Sequence, residues 1–184
     1  MLLELNDVLV EGAEKTVSMI VRDRQVACLT GGTQGVRSQL LLAMLGLVEV
    51  KSGFVSIGGE PLSRKNARTF RKMMAYAPSE LVADGEVTVY EPPTVQDVFN
   101  LKANRDVPIS NGILAEEMKR TGASHDKAQL LAVAVLRKCP VLLVDSPEAA
   151  SADYLRRLAD EGNIVVVASD DETVLRMADE VIEM

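Results

Sequence analysis

Tryptophan is absent from the 184 residues, and phenylalanine and tyrosine occur three times each. Few surfaces remain on which a base or a sugar ring would stack, which counts against single-stranded nucleic acid as a ligand. Histidine occurs once, at His125, so a histidine-built metal centre is excluded and a solvated helix start is its expected setting. The two cysteines, Cys28 and Cys139, lack metal-ligand spacing, and each borders an apolar strand-like run where a small buried side chain fits. No long hydrophobic run is present: the longest, from Leu40 to Val48, is interrupted by Gly46 and falls short of the ~20 residues of a membrane span. Direct membrane insertion is therefore not expected. The start, Leu2-Leu3-Glu4-Leu5, lacks the basic region, apolar core and cleavage site of a secretory signal, and a cytoplasmic location is the expectation. A net charge of −7 repels nucleic acid and anionic membrane surfaces, so nucleic acid is not expected as a partner.

What is present is the alternation of strand-like and helix-like segments, without internal repeat or linker, expected of one domain over 1–184. Leu2 to Val10 and Thr16 to Val21 read as an antiparallel pair. Gln25 to Thr30 is a short apolar strand, followed by a glycine-rich turn and a helix from Ser38 to Leu47 that stops near Gly46. Gly53 to Ile57 reads as a strand, Ser63 to Lys72 as a surface helix with the basic face Arg64, Lys65, Arg68, Arg71 and Lys72, and Met73 to Pro78 as a strand. The pattern loosens between Val82 and Pro108 around Glu91-Pro92-Pro93, with a short helix expected over Val95 to Lys102. Helices are expected over Ile113 to Arg120 and Asp126 to Lys138, the latter capped by Ser124. Val141 to Val144 and Ile164 to Ala168 are continuous apolar runs of the kind found in parallel strands covered on both faces, with a helix from Tyr154 to Glu161 between them. Asp170-Asp171-Glu172 lacks the glycine-centred spacing of a calcium loop and reads as an acidic helix start.

The turn from Gly31 to Ser38 carries the chemistry. It nearly has the spacing G-x-x-x-x-G-K-[ST], in which backbone amides cradle phosphates, a lysine neutralises them and a hydroxyl holds magnesium. Val36 stands where the second glycine belongs and Arg37 where the lysine belongs. Gly31, Gly32, Thr33, Gln34, Gly35, Val36, Arg37, Ser38 and Gln39 are the candidate nucleotide-binding residues, and Val36 is expected to bring strain or occlusion.

In order along the chain, Leu40-Leu41-Leu42-Ala43-Met44-Leu45-Gly46-Leu47, Ser52-Gly53-Phe54-Val55-Ser56-Ile57-Gly58-Gly59, Tyr76-Ala77-Pro78, Pro140-Val141-Leu142-Leu143-Val144-Asp145-Ser146-Pro147 and Ala178-Asp179-Glu180-Val181-Ile182 resemble ATP-binding-cassette (ABC) transporter ATPases. The resemblance implies an α/β fold of the P-loop NTPase type. A mostly parallel sheet is flanked by helices, with an antiparallel N-terminal β portion and a helical insertion shortened to about 80–135. It also implies ATP and Mg²⁺ as ligands, with Ser38 and Asp145 as the metal-holding pair. The partners it implies are a membrane permease subunit, a second ABC ATPase or a second copy of this chain.

The same resemblance marks losses. It puts Ser79 in the place of the Q-loop glutamine, Ser146 in that of the catalytic glutamate and Ser169 in that of the switch histidine, so no catalytic residue is assigned. A serine hydroxyl is far too weakly acidic to serve as the general base for water. The signature segment falls on Thr121-Gly122-Ala123-Ser124-His125 without gaps, or on Ala123-Ser124-His125-Asp126-Lys127 with a two-residue deletion. The region Val8 to Ala13 lacks an aromatic residue against which adenine would stack. Three readings stand at this point: a degenerate domain that regulates or braces a transporter or a true ATPase, an ATPase with atypical catalytic residues, and an interaction module with no nucleotide site.

Overall fold

The computed structural model describes residues 1–80 and 110–184. The elements in chain order are β1 (Leu2–Leu9), β2 (Val17–Arg22), β3 (Val26–Thr30), α1 (Gln34–Met44), β4 (Ser52–Ile57), β5 (Glu60–Pro61), α2 (Ala67–Met73), β6 (Met74–Ala77), α3 (Asn111–Thr121), α4 (His125–Leu136), β7 (Val141–Asp145), α5 (Ala152–Asp160), β8 (Ile164–Ala168), α6 (Glu172–Met177) and β9 (Glu180–Glu183). An antiparallel sheet has the order β2-β1-β4-β5, and a parallel sheet the order β6-β7-β8-β3-β9.

Strand alternation divides the parallel sheet between two cores. Ala27 and Leu29 of β3, Val141 and Leu143 of β7, and Ile164, Val166 and Ala168 of β8 face a cluster filled by Leu40, Leu41 and Met44 of α1 and by Leu3, Leu5 and Val55 of the antiparallel sheet. Val26, Cys28, Leu142, Val144, Val165 and Val167 face the opposite cluster, filled by Leu131 and Ala134 of α4, Leu155 and Ala159 of α5 and Val174 of α6. Both faces are dry, which is why β7 and β8 read as unbroken apolar runs: each fully buried Val or Leu stabilises the fold by ~1.5–3 kcal/mol. Cys28 lies inside this core, where burial first and the negative Asp170 in addition push its thiol up to about 11, so it is an inert packing residue.

The structure shows the expected mostly parallel sheet flanked by helices, with the antiparallel N-terminal pair. Several boundaries differ. The first helix begins at Gln34 and not at Ser38, because Thr33 caps it: its hydroxyl accepts from Val36 N at 3.3 Å. The surface helix begins at Ala67, since Asn66 spends its side chain on Ser63, accepting from that amide at 2.7 Å. The expected helix over Val95 to Lys102 lies outside the described residues. Ser124 occupies the N-cap position of α4, but its hydroxyl leaves the helix for Glu148.

Gly53 marks where β4 crosses the irregularity in β1 between Asn6 and Leu9. Its φ is +76°, and a Cβ there would sit 2.3 Å from the Asn6 and Asp7 carbonyl oxygens. Gly59 also has positive φ, at +83°, yet no atom lies within 4 Å of an added Cβ. Chemical denaturation of Gly53→Ala is expected to show a loss of more than ~3 kcal/mol, against about 1 kcal/mol for Gly59→Ala from backbone strain alone. Equal losses would refute the steric account of Gly53.

Candidate functional site

The strands β3, β8 and β7 end at one edge of the parallel sheet. Leu29 and Asp145 both pair with Ala168, and the ladder continues one step outward as Ser146 N donates to the Ala168 carbonyl and Ser169 N to that of Leu29, each at 2.9 Å. The crevice beyond the carboxyl ends of parallel strands is the usual ligand site of such sheets. Here the chain leaves β3 through Gly31 and Gly32, with φ of +73° and +59°, and turns straight into α1. Val36 N and Arg37 N donate back to the Thr33 carbonyl at 3.1 and 3.2 Å. Gln34 N and Gly35 N have no acceptor among the described residues, and such first-turn amides attract anions.

One strand separates β3 from β7, and α1 bridges it. Ser38 Oγ donates to Asp145 Oδ2 at 2.6 Å, with the Gln34 carbonyl at 3.0 Å as the other acceptor for its proton. Tyr76 at the end of β6 donates its hydroxyl to the same Oδ2 at 3.2 Å, and Ser146 Oγ donates to Oδ1 at 3.1 Å. Burial, and next the Asp145 charge, raise the Tyr76 phenol well above its ordinary value, so it stays a protonated donor. Ser146 has a left-handed φ of +51°, and its carbonyl accepts from Lys127 Nζ at 3.2 Å. Ser38 and Asp145 present a hydroxyl and a carboxylate side by side; all-oxygen donors of this kind suit a hard cation such as Mg²⁺ and fit it as a hydrated ion.

Arg37 is buried and bonded to the loop. Its guanidinium donates to the Gly31 carbonyl at 2.7 Å, reaches that of Gly32 at 3.5 Å, and pairs with Asp170 Oδ2 at 2.8 Å. The residue is only 5% exposed. Asp170 Oδ1 accepts from Thr30 Oγ1 at 2.8 Å and from Gly31 N at 3.0 Å. The Gly31 amide first and the Thr30 hydroxyl second hold this carboxyl below the usual aspartate range. The acidic helix start is thereby divided between two tasks. Asp171 caps α6 by accepting from Thr173 N and Val174 N, while Asp170 belongs to the loop.

Val36 corrects another expectation. It is helical and not left-handed, its amide is bonded, and its side chain packs toward the turn at Gly12, whose added Cβ would meet Val36 Cγ2 at 3.2 Å. No strain arises there. Gln39, one residue past Ser38, is half-buried, and its Oε1 has no donor among the described residues. Ser169 is 6% exposed and accepts on its hydroxyl from Asp171 N at 3.1 Å, a bond within its own turn.

The two registers of the signature segment fall on the α3–α4 turn and, with a deletion, run on into the first turn of α4. Gly122 needs its φ of +73°, and a Cβ there would meet the Ala150 carbonyl at 2.5 Å. Glu148 binds Ser124 from both sides: Oε1 accepts from its hydroxyl at 2.5 Å and Oε2 from its amide at 2.7 Å, which lowers the Glu148 pKa. His125 is exposed in the first turn of α4. Tyr76, Lys127, Glu148 and Asp170 were not among the sequence candidates. Of these, only Asp170 carried a signal, as the first carboxylate beyond an apolar strand. Because its pKa is lower folded than unfolded, Asp170 adds stability above the ordinary aspartate value of about 3.9 and loses it as pH falls through the folded value. Exposure limits that contribution to less than about 1 kcal/mol. Denaturation curves of wild type and Asp170→Asn should therefore differ most above the ordinary aspartate value of about 3.9 and draw together as pH falls below it; a gap independent of pH would contradict the assignment.

The family model described as ABC transporter matches residues 15–149. The arabinose import ATP-binding protein AraG of Pectobacterium atrosepticum is 30% identical over 104 residues, which are 56% of this chain but only 20% of that protein. Among solved structures, an ATP-binding subunit of an ABC transporter superposes with a TM-score of 0.72 at 18% identity, covering 100% of this chain and 86% of its own. The dimeric structure of MJ0796, a bacterial ABC transporter cassette, gives 0.71 at 18% identity, covering 99% and 94%. These structural likenesses show the fold, α/β of the P-loop type, and the matched sequence model, spanning most of the length, supplies the family: the chain belongs to the ABC transporter family, as an ATP-binding-type domain.

Proposed function

We propose that this chain is a non-hydrolytic ABC domain, with at most weak affinity for ATP, that serves as a regulatory or structural partner of a transporter or of a catalytically complete ATPase. The observation that carries the reading is the side chain beside the metal-holding aspartate. Where the family resemblance puts a glutamate to activate water, Ser146 points its only proton at Asp145 Oδ1, 3.1 Å away. Neither an alcohol nor a hydroxyl already committed to a carboxylate accepts a proton from water near neutral pH.

Among the described residues, no nearby carboxylate is a ready substitute. Glu148 accepts two hydrogen bonds from Ser124, and Asp170 accepts from Gly31, Thr30 and Arg37. Hydrogen bonding to the charged form weakens both as bases. Asp145 is 2% exposed and accepts from three hydroxyls. Ser169, in the place of the switch histidine, serves its own turn.

Binding groups remain. The amides of Gln34 and Gly35 at the start of α1, without an acceptor among the described residues, suit phosphate oxygens, and Ser38 with Asp145 suits magnesium. Bound, the cation supplies charge neutralisation between phosphates. Arg37 is withheld from that task by its bonds to the loop, which is why affinity is expected to be weak. On this reading the domain works at the cytoplasmic face, docked on a membrane permease subunit or on a complete ABC ATPase. A homodimer would bring together two sites that both lack a water-activating base.

Phosphate release by the purified chain with magnesium-ATP is expected to stay at background and to be unchanged by Arg37→Ala and Asp145→Ala. Calorimetric titration should give a dissociation constant of about 1 mM or weaker. Steady turnover abolished by both substitutions would overturn the reading.

A further inference from the structure

Asp170 stands in the loop as an internal anion. It is tied by Thr30 Oγ1 and Gly31 N, and it holds one arm of the Arg37 fork at 2.8 Å while the other arm lies on the Gly31 carbonyl at 2.7 Å. A guanidinium with a carboxylate on one side and carbonyl oxygens on the other is placed much as it would be against phosphate oxygens. The side chain of Arg37 is 7% exposed, whereas that of Asp170 is 57% exposed. The cation is thus sequestered by a partner that water, salt or a competing anion reaches. Arg37 Nε is buried with no acceptor among the described residues, and an unpaired buried donor costs the closed arrangement part of its stability. Stored and incompletely satisfied, the arginine is poised to leave.

We propose that Asp170 is a positioning residue that latches the phosphate loop in a self-occupied state, keeping Arg37 folded on Gly31 and Gly32 until a polyphosphate displaces the carboxylate and takes over the guanidinium. This rests on the reading above that the first turn of α1 with Ser38 forms the phosphate site, and it adds how that site is regulated. Affinity for nucleotide is set by the strength of one intramolecular ion pair. Whatever weakens the pair while leaving Arg37 its charge, such as loss of the Asp170 carboxylate charge, raises affinity for a second anion. The pair consumes no residue that holds the metal, so nucleotide binding and hydrolysis are separable properties of this domain.

The test is calorimetric titration of the full chain with magnesium-ATP, comparing wild type, Asp170→Asn and Asp170→Asn/Arg37→Ala. Asp170→Asn keeps an oxygen for Thr30 and Gly31 but releases the arginine, and should tighten binding about tenfold. The double variant should lose that gain, because the released group is Arg37. A gain that persists without Arg37 would show simple relief of repulsion by Asp170 and overturn the latch. Equal affinity of wild type and Asp170→Asn, or no measurable binding by either, would overturn it too. Should Asp170→Asn fail to fold, Thr30→Val removes one tie on Asp170 without changing charge; about threefold tighter binding supports the latch and unchanged binding overturns it. Turnover by the wild type would defeat the non-hydrolytic reading while leaving the latch standing, since the latch is read from affinity alone.

Discussion

A carboxylate that is 2% exposed at the end of an otherwise apolar strand must be hydrogen-bonded, and Asp145 is the group that imposes this on the molecule. Three hydroxyls from three elements meet the demand: Ser38 from α1, Tyr76 from β6 and Ser146 from the turn after β7. The consequence is geometric. The start of α1 is drawn across β8 until Ser38 reaches 2.6 Å, and that single bond places the glycine turn and the first-turn amides over the end of the sheet. Removing one hydroxyl would leave the carboxylate short of donors in a dry environment, where an unmet bond costs ~1–3 kcal/mol.

Much of this was legible in the sequence because the relevant signals are local. Val141 to Val144 and Ile164 to Ala168 read as parallel strands since no polar residue interrupts them, and both are buried on two faces. Gly31 to Ser38 read as a phosphate-type turn from spacing alone, and the structure does bring Ser38 to Asp145. What stayed hidden depends on strand order. Asp170 is adjacent in sequence to a helix start and adjacent in space to Gly31 only because β8 lies beside β3, a fact that no spacing rule contains. Tyr76 is hidden for the same reason, since its hydroxyl has a partner only once β6 is placed beside β7.

The misreadings share a cause as well. Val36 is expected to bring strain or occlusion because a glycine stands there in the motif; the strain does not arise, since the backbone at that position is already helical and the side chain packs against the turn at Gly12. The left-handed burden falls earlier, on Gly31 and Gly32, which are both glycine. Likewise Thr33 supplies a cap that the pattern of apolar residues does not reveal, since capping depends on one hydroxyl and not on periodicity.

These distinctions explain how the fold holds the shape of its crevice. The residues that shape the crevice act through the backbone or through buried hydrogen bonds: Gly31, Gly32 and Gly122 by conformation, Thr33 and Asp171 by capping, Asp145 by its need for donors. The hydroxyls of Ser146 and Ser169 each make one local hydrogen bond, Ser146 to Asp145 and Ser169 from the Asp171 amide. Serine at such positions is accommodated because its hydroxyl finds a local partner. Arg37 belongs to neither class. Its charge is retained, but the fork is wide enough to reach the loop carbonyls and Asp170 together, so the group that would neutralise phosphate is instead part of the fold. A lysine ammonium, a point charge with three donors but no planar fork, would not reproduce the two arms by which Arg37 spans the Gly31 carbonyl and Asp170.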